Sequence, residues 1–351
     1  MEKEHNLFLI DWLTFTAHGC TLDDVKQLIG LTSPDIPWTD INKFRNGYPC
    51  SVFWQGITIS FGADDPNNYS DPTKVQLNMG ICVNMSGSGC RTFESFSQRG
   101  WLKLFGMLFT LRDSGVREKN GKLFSYNITR LDIAYDDHIG ILDIYRIRQD
   151  IEDRNYTSKS KYSEITWSDN QVTDIQGITC QVGSSKSLVL VRIYNKAAER
   201  GFKDRHWVRC EIQLRDERAS AALSDVVSFG SLSCVASGIL RNYLVFRVPS
   251  FDSNKSRWPV ADYWDKLLGS MVSLSLWVSP GCEYNLSKSE YWLTKQYGPI
   301  ITVLSQVHDI GYISSKCEEL YPVDKLPPKY KSLLDSYELR FGLVSDPTPW
   351  G

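Results

Sequence analysis

The chain has 351 residues, 42% of them hydrophobic and 23% charged, which gives enough apolar material for a sizeable core and too much for a disordered chain. Lys and Arg number 39 against 41 Asp and Glu, so a net charge of −2 excludes an overall basic excess of the kind many nucleic-acid proteins carry. Nine cysteines, an odd count with no C-x-x-C pair, argue against a disulfide framework or zinc ribbon. No apolar run approaches the roughly 18 residues of a membrane span, and the expectation is a soluble cytoplasmic protein with reduced thiols and no membrane partner.

In chain order, NLFLIDWLTFTAH reads as a first β-strand, rich in aromatic and β-branched residues. TLDDVKQLIGL reads as a short helix with Thr21 as N-cap. Residues 48–62 and 74–86 read as two strands, with the Asp/Pro/Asn-rich ADDPNNYSDP as a loop between them. SGSGCR is small and flexible and leads into one helix over about residues 92–112, with Phe93, Phe96, Trp101, Leu104, Phe105 and Leu108 on its apolar face.

NITRLDIAYDD then reads as a strand and ILDIYRIRQDIEDR as a helix. Residues 155–176 are polar and irregular. GITCQVGS, SLVLVRIYNK and HWVRCEIQLR read as three further strands. Together these predict an α+β fold, a largely antiparallel sheet with flanking helices. A first domain over 1–220 is followed by a mostly helical region over 221–351, where a winged-helix-like reader has room. In that region Ser287 and Glu290 form a capping-box pattern, Gly298-Pro299 is a breaker, and DKLPPKYKSLLDSYELRFG suggests a last helix.

Charge is unevenly placed. Residues 186–218 hold nine Lys/Arg (Lys186, Arg192, Lys196, Arg200, Lys203, Arg205, Arg209, Arg215, Arg218) and five acids, a local excess of four positive charges. Residues 1–80 hold five basic and ten acidic residues. Phosphates would be met in the middle segment.

Strand alternation sorts the chemistry. In Arg130-Leu-Asp132-Ile-Ala134 the polar residues share a face. So do Arg192, Tyr194 and Lys196 in RIYNK, and Arg209, Glu211, Gln213 and Arg215 in RCEIQLR. If these strands are neighbours, one face gathers Asp132, Glu211, Tyr194, Arg192, Lys196 and Arg209. That set suits phosphodiester chemistry. Carboxylates are hard ligands for Mg²⁺ or Mn²⁺, a tyrosine can attack phosphorus, and Arg and Lys can neutralise phosphate and depress a tyrosine pKa. A polar face simply wetted by solvent accounts for the same alternation.

ITRLDIAYDD, QVGSSKS, VRIYNKAAER and WVRCEIQLR, in that order and spacing, resemble the Rep_trans family of rolling-circle replication initiators and relaxases. IDWLTFT and SGSGCRTFE add to the resemblance, which covers roughly residues 7–220. It implies a nickase core in which Tyr194 forms a 5′-phosphotyrosine with Arg192 and Lys196 beside it. It also implies a carboxylate-held Mg²⁺ or Mn²⁺, with Asp132 and Glu211 as ligands. Asp11 is the candidate third ligand, and a structural role suits it equally. Lys186, Arg200, Arg205, Arg209 and Arg215 are the candidate DNA contacts. The five histidines include no His-x-His pair of the kind better-known nickases use for metal. Partners implied are an origin presented as single-stranded or extruded DNA, a host helicase and polymerase; a homodimer is left open. A non-catalytic origin-binding or repressor protein on the same fold is the alternative, and a hydrolase using Asp132 and Glu211 as acid and base is a distant third.

Overall fold

A computed structural model of the chain describes residues 6–41, 47–62, 79–113, 125–170, 175–273, 286–308 and 310–326. It divides into two compact units, residues 1–278 and 279–351. In the first unit the chain runs β1 (Leu7–His18), α1 (Leu22–Leu28), β2 (Thr39–Ile41), β3 (Cys50–Trp54), β4 (Ile57–Phe61), β5 (Ile81–Met85), α2 (Gly87–Phe96) and α3 (Trp101–Asp113). It continues with β6 (Ser125–Asp137), α4 (Ile144–Glu152), β7 (Tyr156–Ser158), β8 (Ser163–Asn170), β9 (Ile175–Val182), β10 (Val189–Asn195), the single-turn α5 (Lys196–Glu199) and β11 (Val208–Arg215). Then come α6 (Asp216–Phe229), α7 (Leu232–Tyr243), β12 (Leu244–Phe246) and α8 (Asp262–Ser273).

Ten strands form one sheet in the order β2-β3-β4-β5-β1-β6-β11-β10-β9-β8, and every pairing is antiparallel. The expected α+β architecture with a largely antiparallel sheet is therefore what the chain forms. Strands β7 and β12 make a separate two-stranded ribbon. One face of the central strands is apolar: Leu131, Ile133 and Tyr135 of β6, Cys210, Ile212 and Leu214 of β11, and Val191 and Ile193 of β10 are all buried. Helix α6 packs on β6, where Ala219, Ala222, Leu223 and Val226 are buried. All eight described cysteines are unpaired, and the six that are buried serve as small core residues.

The sequence-based expectations meet the structure unevenly. Thr21 caps α1 in a full capping box. Residues 48–62 are not one strand but a hairpin, because Gln55 and Gly56 both take positive φ (41° and 87°), the signature of a two-residue turn whose twist matches the strands. The helix expected over 92–112 is two helices. Helix formation begins earlier, at Gly87, and stops at Ser97, whose hydroxyl donates to Ile29 O while the Gln98 amide donates to Gly30 O. Residues 155–176, expected to be irregular, contain β7 and β8. Strand β8 lies at the sheet edge, where both faces tolerate polar residues and the alternation signal is weak.

The first compact unit runs well past 220, since α6 crosses that point and is seated on β6. The described residues of the second unit form α9 (Leu286–Val307), which runs through Pro299, α10 (Ile310–Leu320) and a short 3-10 turn. The Ser287/Glu290 side chains, ADDPNNYSDP and nearly all of the last predicted helix lie outside the described residues.

The hairpin turn fixes α2 against the sheet by direct backbone contact. A Cβ on Gly89 would lie 2.2 Å from Gly56 O and 2.6 Å from Gly56 C, atoms that cannot yield. Gly89→Ala is expected to destabilise the chain by on the order of 3 kcal/mol through overpacking, read as a lower urea midpoint at unchanged slope.

Candidate active site

Cross-strand register builds the site. Arg192 of β10 faces Glu211 of β11, which faces Ala134 of β6; Tyr194 faces Arg209, which faces Asp136. Gln213 faces Asp132, and Arg215 faces Arg130. Asp11 is the extra residue of a β-bulge in β1, between Ile10, which pairs with Ile133, and Trp12, which pairs with Asp132. The alternation read from the sequence thus brings Asp132, Glu211, Tyr194, Arg192 and Arg209 to one face. Lys196 reaches the same place by another route. It is the first residue of α5, capped by Asn195, and its Nζ lies 3.5 Å from Tyr194 Oη.

The face is buried, so its charges must be matched. The Arg130 guanidinium holds Asp132 through three contacts of 2.5–3.1 Å and lies 4.0 Å over the Trp12 ring. Arg192 holds Glu211 Oε1. Arg209 donates to both oxygens of Asp136 at 2.6 and 2.7 Å and reaches Asp11 at 2.8 Å. Lys196 donates to Glu199 at 2.5 Å. The Tyr194 hydroxyl donates to Glu211 Oε2 at 3.2 Å.

These surroundings set the ionisation. Burial and the Glu211 carboxylate push the Tyr194 phenol well above its ordinary range, only partly offset by Arg209. The expectation that neighbouring cations depress this tyrosine is therefore reversed, because burial and the Glu211 carboxylate outweigh Arg209. Burial, with help from Arg209, lowers the Lys196 ammonium. Burial raises the Asp132 carboxyl to about 7; Arg130 opposes this and neighbouring Glu211 adds to it. Two carboxylates side by side, one holding its proton up to neutral pH, form a donor pair that a divalent ion would suit. The ion would have to draw both away from their arginines. Among the described residues no three His, Cys, Asp or Glu side chains surround a common point, and Asp11 is committed to Arg209.

The candidate DNA contacts separate. Lys186, Arg200 and Arg205 are exposed, Arg205 lying 4.9 Å over the Phe202 ring; Arg215 is half-buried. Arg209 is buried with all three nitrogens bound to carboxylates, so it is an internal ion-pair centre rather than an open cation. Asp137 accepts from the Ile139 and Leu142 amides and from His206 at 3.0 Å, which raises the His206 pKa. Gly183 and Ser184 form the β9–β10 turn.

Sequence reasoning did not single out Asp136, Arg130 or Trp12 as site residues. Nor did it find Glu94, whose carboxylate binds Arg91 and the Trp101 indole and is raised by burial to about 7. Arg91 also donates to Ile10 O beside the bulge, so α2 braces this edge of the site. The SGSGCRTFE segment was the only signal for it.

A buried tyrosine hydrogen-bonded to a carboxylate thus stands among ion-paired arginines on one face of an antiparallel sheet. The family model described as replication initiation factor matches residues 126–317, more than half of the chain and all of the strands that carry Tyr194, Asp132 and Glu211. The chain belongs to this Rep_trans family of rolling-circle replication initiators and relaxases. It is 25% identical over 341 residues to a protein of Bacillus subtilis (strain 168) named DNA relaxase NicK, covering 94% of this chain and 89% of that one. It also resembles the structure of a rolling circle replication initiator protein from Geobacillus stearothermophilus, at 30% identity and a TM-score of 0.64, over 78% of this chain and 98% of that one.

Replacing Asp136 strands a buried guanidinium. Asp136→Asn is expected to cost about 3–5 kcal/mol, as breaking a buried pair does. Asp11→Asn, at the partly exposed end of the same arginine, should cost about 1 kcal/mol or less. Chemical denaturation of both variants checks the ranking.

Proposed function

We propose that the protein is a site-specific endonuclease that nicks one strand of DNA through Tyr194. The observation that carries this reading is the Tyr194 hydroxyl, held by Glu211 and approached by Lys196 at the centre of the arginine-lined face. Family membership supports the class of reaction; the arrangement of side chains supports the division of labour.

Glu211 orients the phenol and accepts its proton as the oxygen attacks phosphorus. A phenol pushed above its ordinary pKa does not ionise by itself at neutral pH, so a base in contact is required. The Tyr194 oxygen becomes bonded to the 5′ phosphate, and the bond to the 3′ oxygen breaks; that oxygen takes a proton from water to leave a free 3′-OH. Arg192 and Lys196 lie where charge develops on the phosphoryl oxygens. Asp132 and Glu211 would hold Mg²⁺ or Mn²⁺, and when bound the ion supplies further neutralisation of that charge. With their carboxylates so engaged, Arg130 and Arg192 would be free to turn to phosphate. Lys186, Arg200, Arg205 and Arg215 contact the flanking strand. The 3′-OH would be extended by a host polymerase after unwinding by a host helicase.

Tyr194→Phe is expected to abolish conversion of a supercoiled origin plasmid to open circles while leaving DNA binding largely intact, since it removes one oxygen and little volume. Wild-type protein that shifts the plasmid without cutting it would instead identify a non-catalytic binder.

EDTA is expected to block nicking, and Mn²⁺ or Mg²⁺ to restore it. Asp132→Asn and Glu211→Gln should each slow nicking by on the order of a hundredfold or more. If the carboxylates serve only as arginine partners, the same variants would lower Tm while the folded fraction still cleaves in EDTA. With limiting Mn²⁺ the rate should rise with pH through about 7, as the proton on Asp132 stops competing with the ion.

A further inference from the structure

Beyond Glu211, the polar face of β11 continues through Gln213 to Arg215, and the pairing there is incomplete. Gln213 is 3% exposed, yet its side-chain nitrogen has no hydrogen-bond partner. Arg215 Nε is likewise buried without an acceptor, and among the described residues the Arg215 side chain has no carboxylate partner. Arg215 also stands directly opposite Arg130 across the β6–β11 pair. Like charges in that position repel, and the one carboxylate Arg130 holds among the described residues is Asp132.

A buried amide without a partner costs folding free energy, and so do two facing guanidinium groups. Both costs vanish if an anion with several acceptor oxygens lies over Gln213 between Arg130 and Arg215. Residues of an antiparallel strand rise by about 3.4 Å each, so the point between Gln213 and Arg215, three residues beyond Glu211, lies about 10 Å along the strand from it, within reach of a neighbouring nucleotide of a strand whose scissile phosphate is at the Tyr194 hydroxyl. Every other cation on this stretch of the face already has its carboxylate.

We infer that Gln213, Arg215 and Arg130 form a subsite for a single backbone phosphodiester of the DNA strand, next to the one that Tyr194 attacks. The inference rests on the reading of single-stranded DNA as substrate. In this subsite Arg130 and Arg215 are the charged walls and the Gln213 amide is the neutral donor at its floor. It reads no base and so sets the register of the strand at the nucleophile rather than its sequence.

The test uses the full chain with Gln213→Met and Arg215→Gln variants and a fluorescent fifteen-residue oligothymidylate as probe. Gln213→Met should raise Tm, because it removes an unsatisfied buried donor, and should weaken binding about tenfold without altering its salt dependence. Arg215→Gln should weaken binding and reduce the slope of log affinity against log salt by about 0.7, the value for one single-strand phosphate. If Gln213 is instead a satisfied core residue, Gln213→Met will lower Tm and leave affinity unchanged. Wild-type binding with both variants matching it in affinity and salt slope overturns the subsite and leaves the nicking reading standing. Wild-type protein that neither binds the probe nor opens an origin plasmid overturns both.

Discussion

Matching buried charge is the constraint on which the centre of this protein depends. Strands β1, β6, β11 and β10 lie side by side, and all turn ionisable residues to the same poorly hydrated face. A buried charge left alone would cost several kcal/mol, so each acid has a base in contact: Asp132 with Arg130, Glu211 with Arg192, Asp136 and Asp11 with Arg209, Glu199 with Lys196. The apolar face on the other side of the same strands holds the sheet in place, and the pairs on this face hold the register. Tyr194 sits among them as an un-ionised guest, hydrogen-bonded rather than ion-paired.

That arrangement explains why the site is poised rather than open. The arginines of the site are paired at rest, so they do not present a free positive surface, and burial outweighs what Arg209 does to lower the tyrosine pKa. A phosphate would compete with the carboxylates for the same guanidinium groups, as a divalent ion would with the arginines for the same carboxylates. In the function proposed above, DNA and a divalent ion arriving together would exchange partners with these pairs and leave their charges matched. A net charge of −2 is compatible with the proposed DNA substrate, because residues 186–218 carry a local excess of four positive charges, with Lys186, Arg200 and Arg205 exposed.

Much of this was legible in the sequence, for identifiable reasons. Strands β6, β10 and β11 are half-buried, and their period-two pattern assigned Asp132, Glu211, Tyr194, Arg192 and Arg209 to a common face without coordinates. Order and spacing of four motifs supplied the family. What escaped depended on the third dimension. The Gln55-Gly56 turn lacks the Asn-Gly or Asp-Gly signature. Strand β8 is a polar edge strand with little alternation. The Ser97 break is held by carbonyls at Ile29 and Gly30, far away in the chain. The direction of the Tyr194 shift escaped because residue type shows that cations are near but not that the hydroxyl is buried against Glu211. Asp136 is one residue from Asp137, and only the strand register shows that the first binds Arg209 and the second caps a loop.

The bulge at Asp11 has a consequence for how this strand tolerates change over evolutionary time. Ile10 and Trp12 pair with the consecutive residues Ile133 and Asp132, so Asp11 is counted in the sequence but skipped in the ladder. Loss of almost any other residue from the middle of β1 would turn half of the strand inside out, sending Phe8 and Ile10, or Leu13 and Phe15, to the wrong side. Loss of Asp11 alone would straighten the strand and leave every neighbour on its own side. A length difference of one residue at this point is therefore the kind that relatives can accumulate, and where it occurs the arginine equivalent to Arg209 would be left with a single acidic partner.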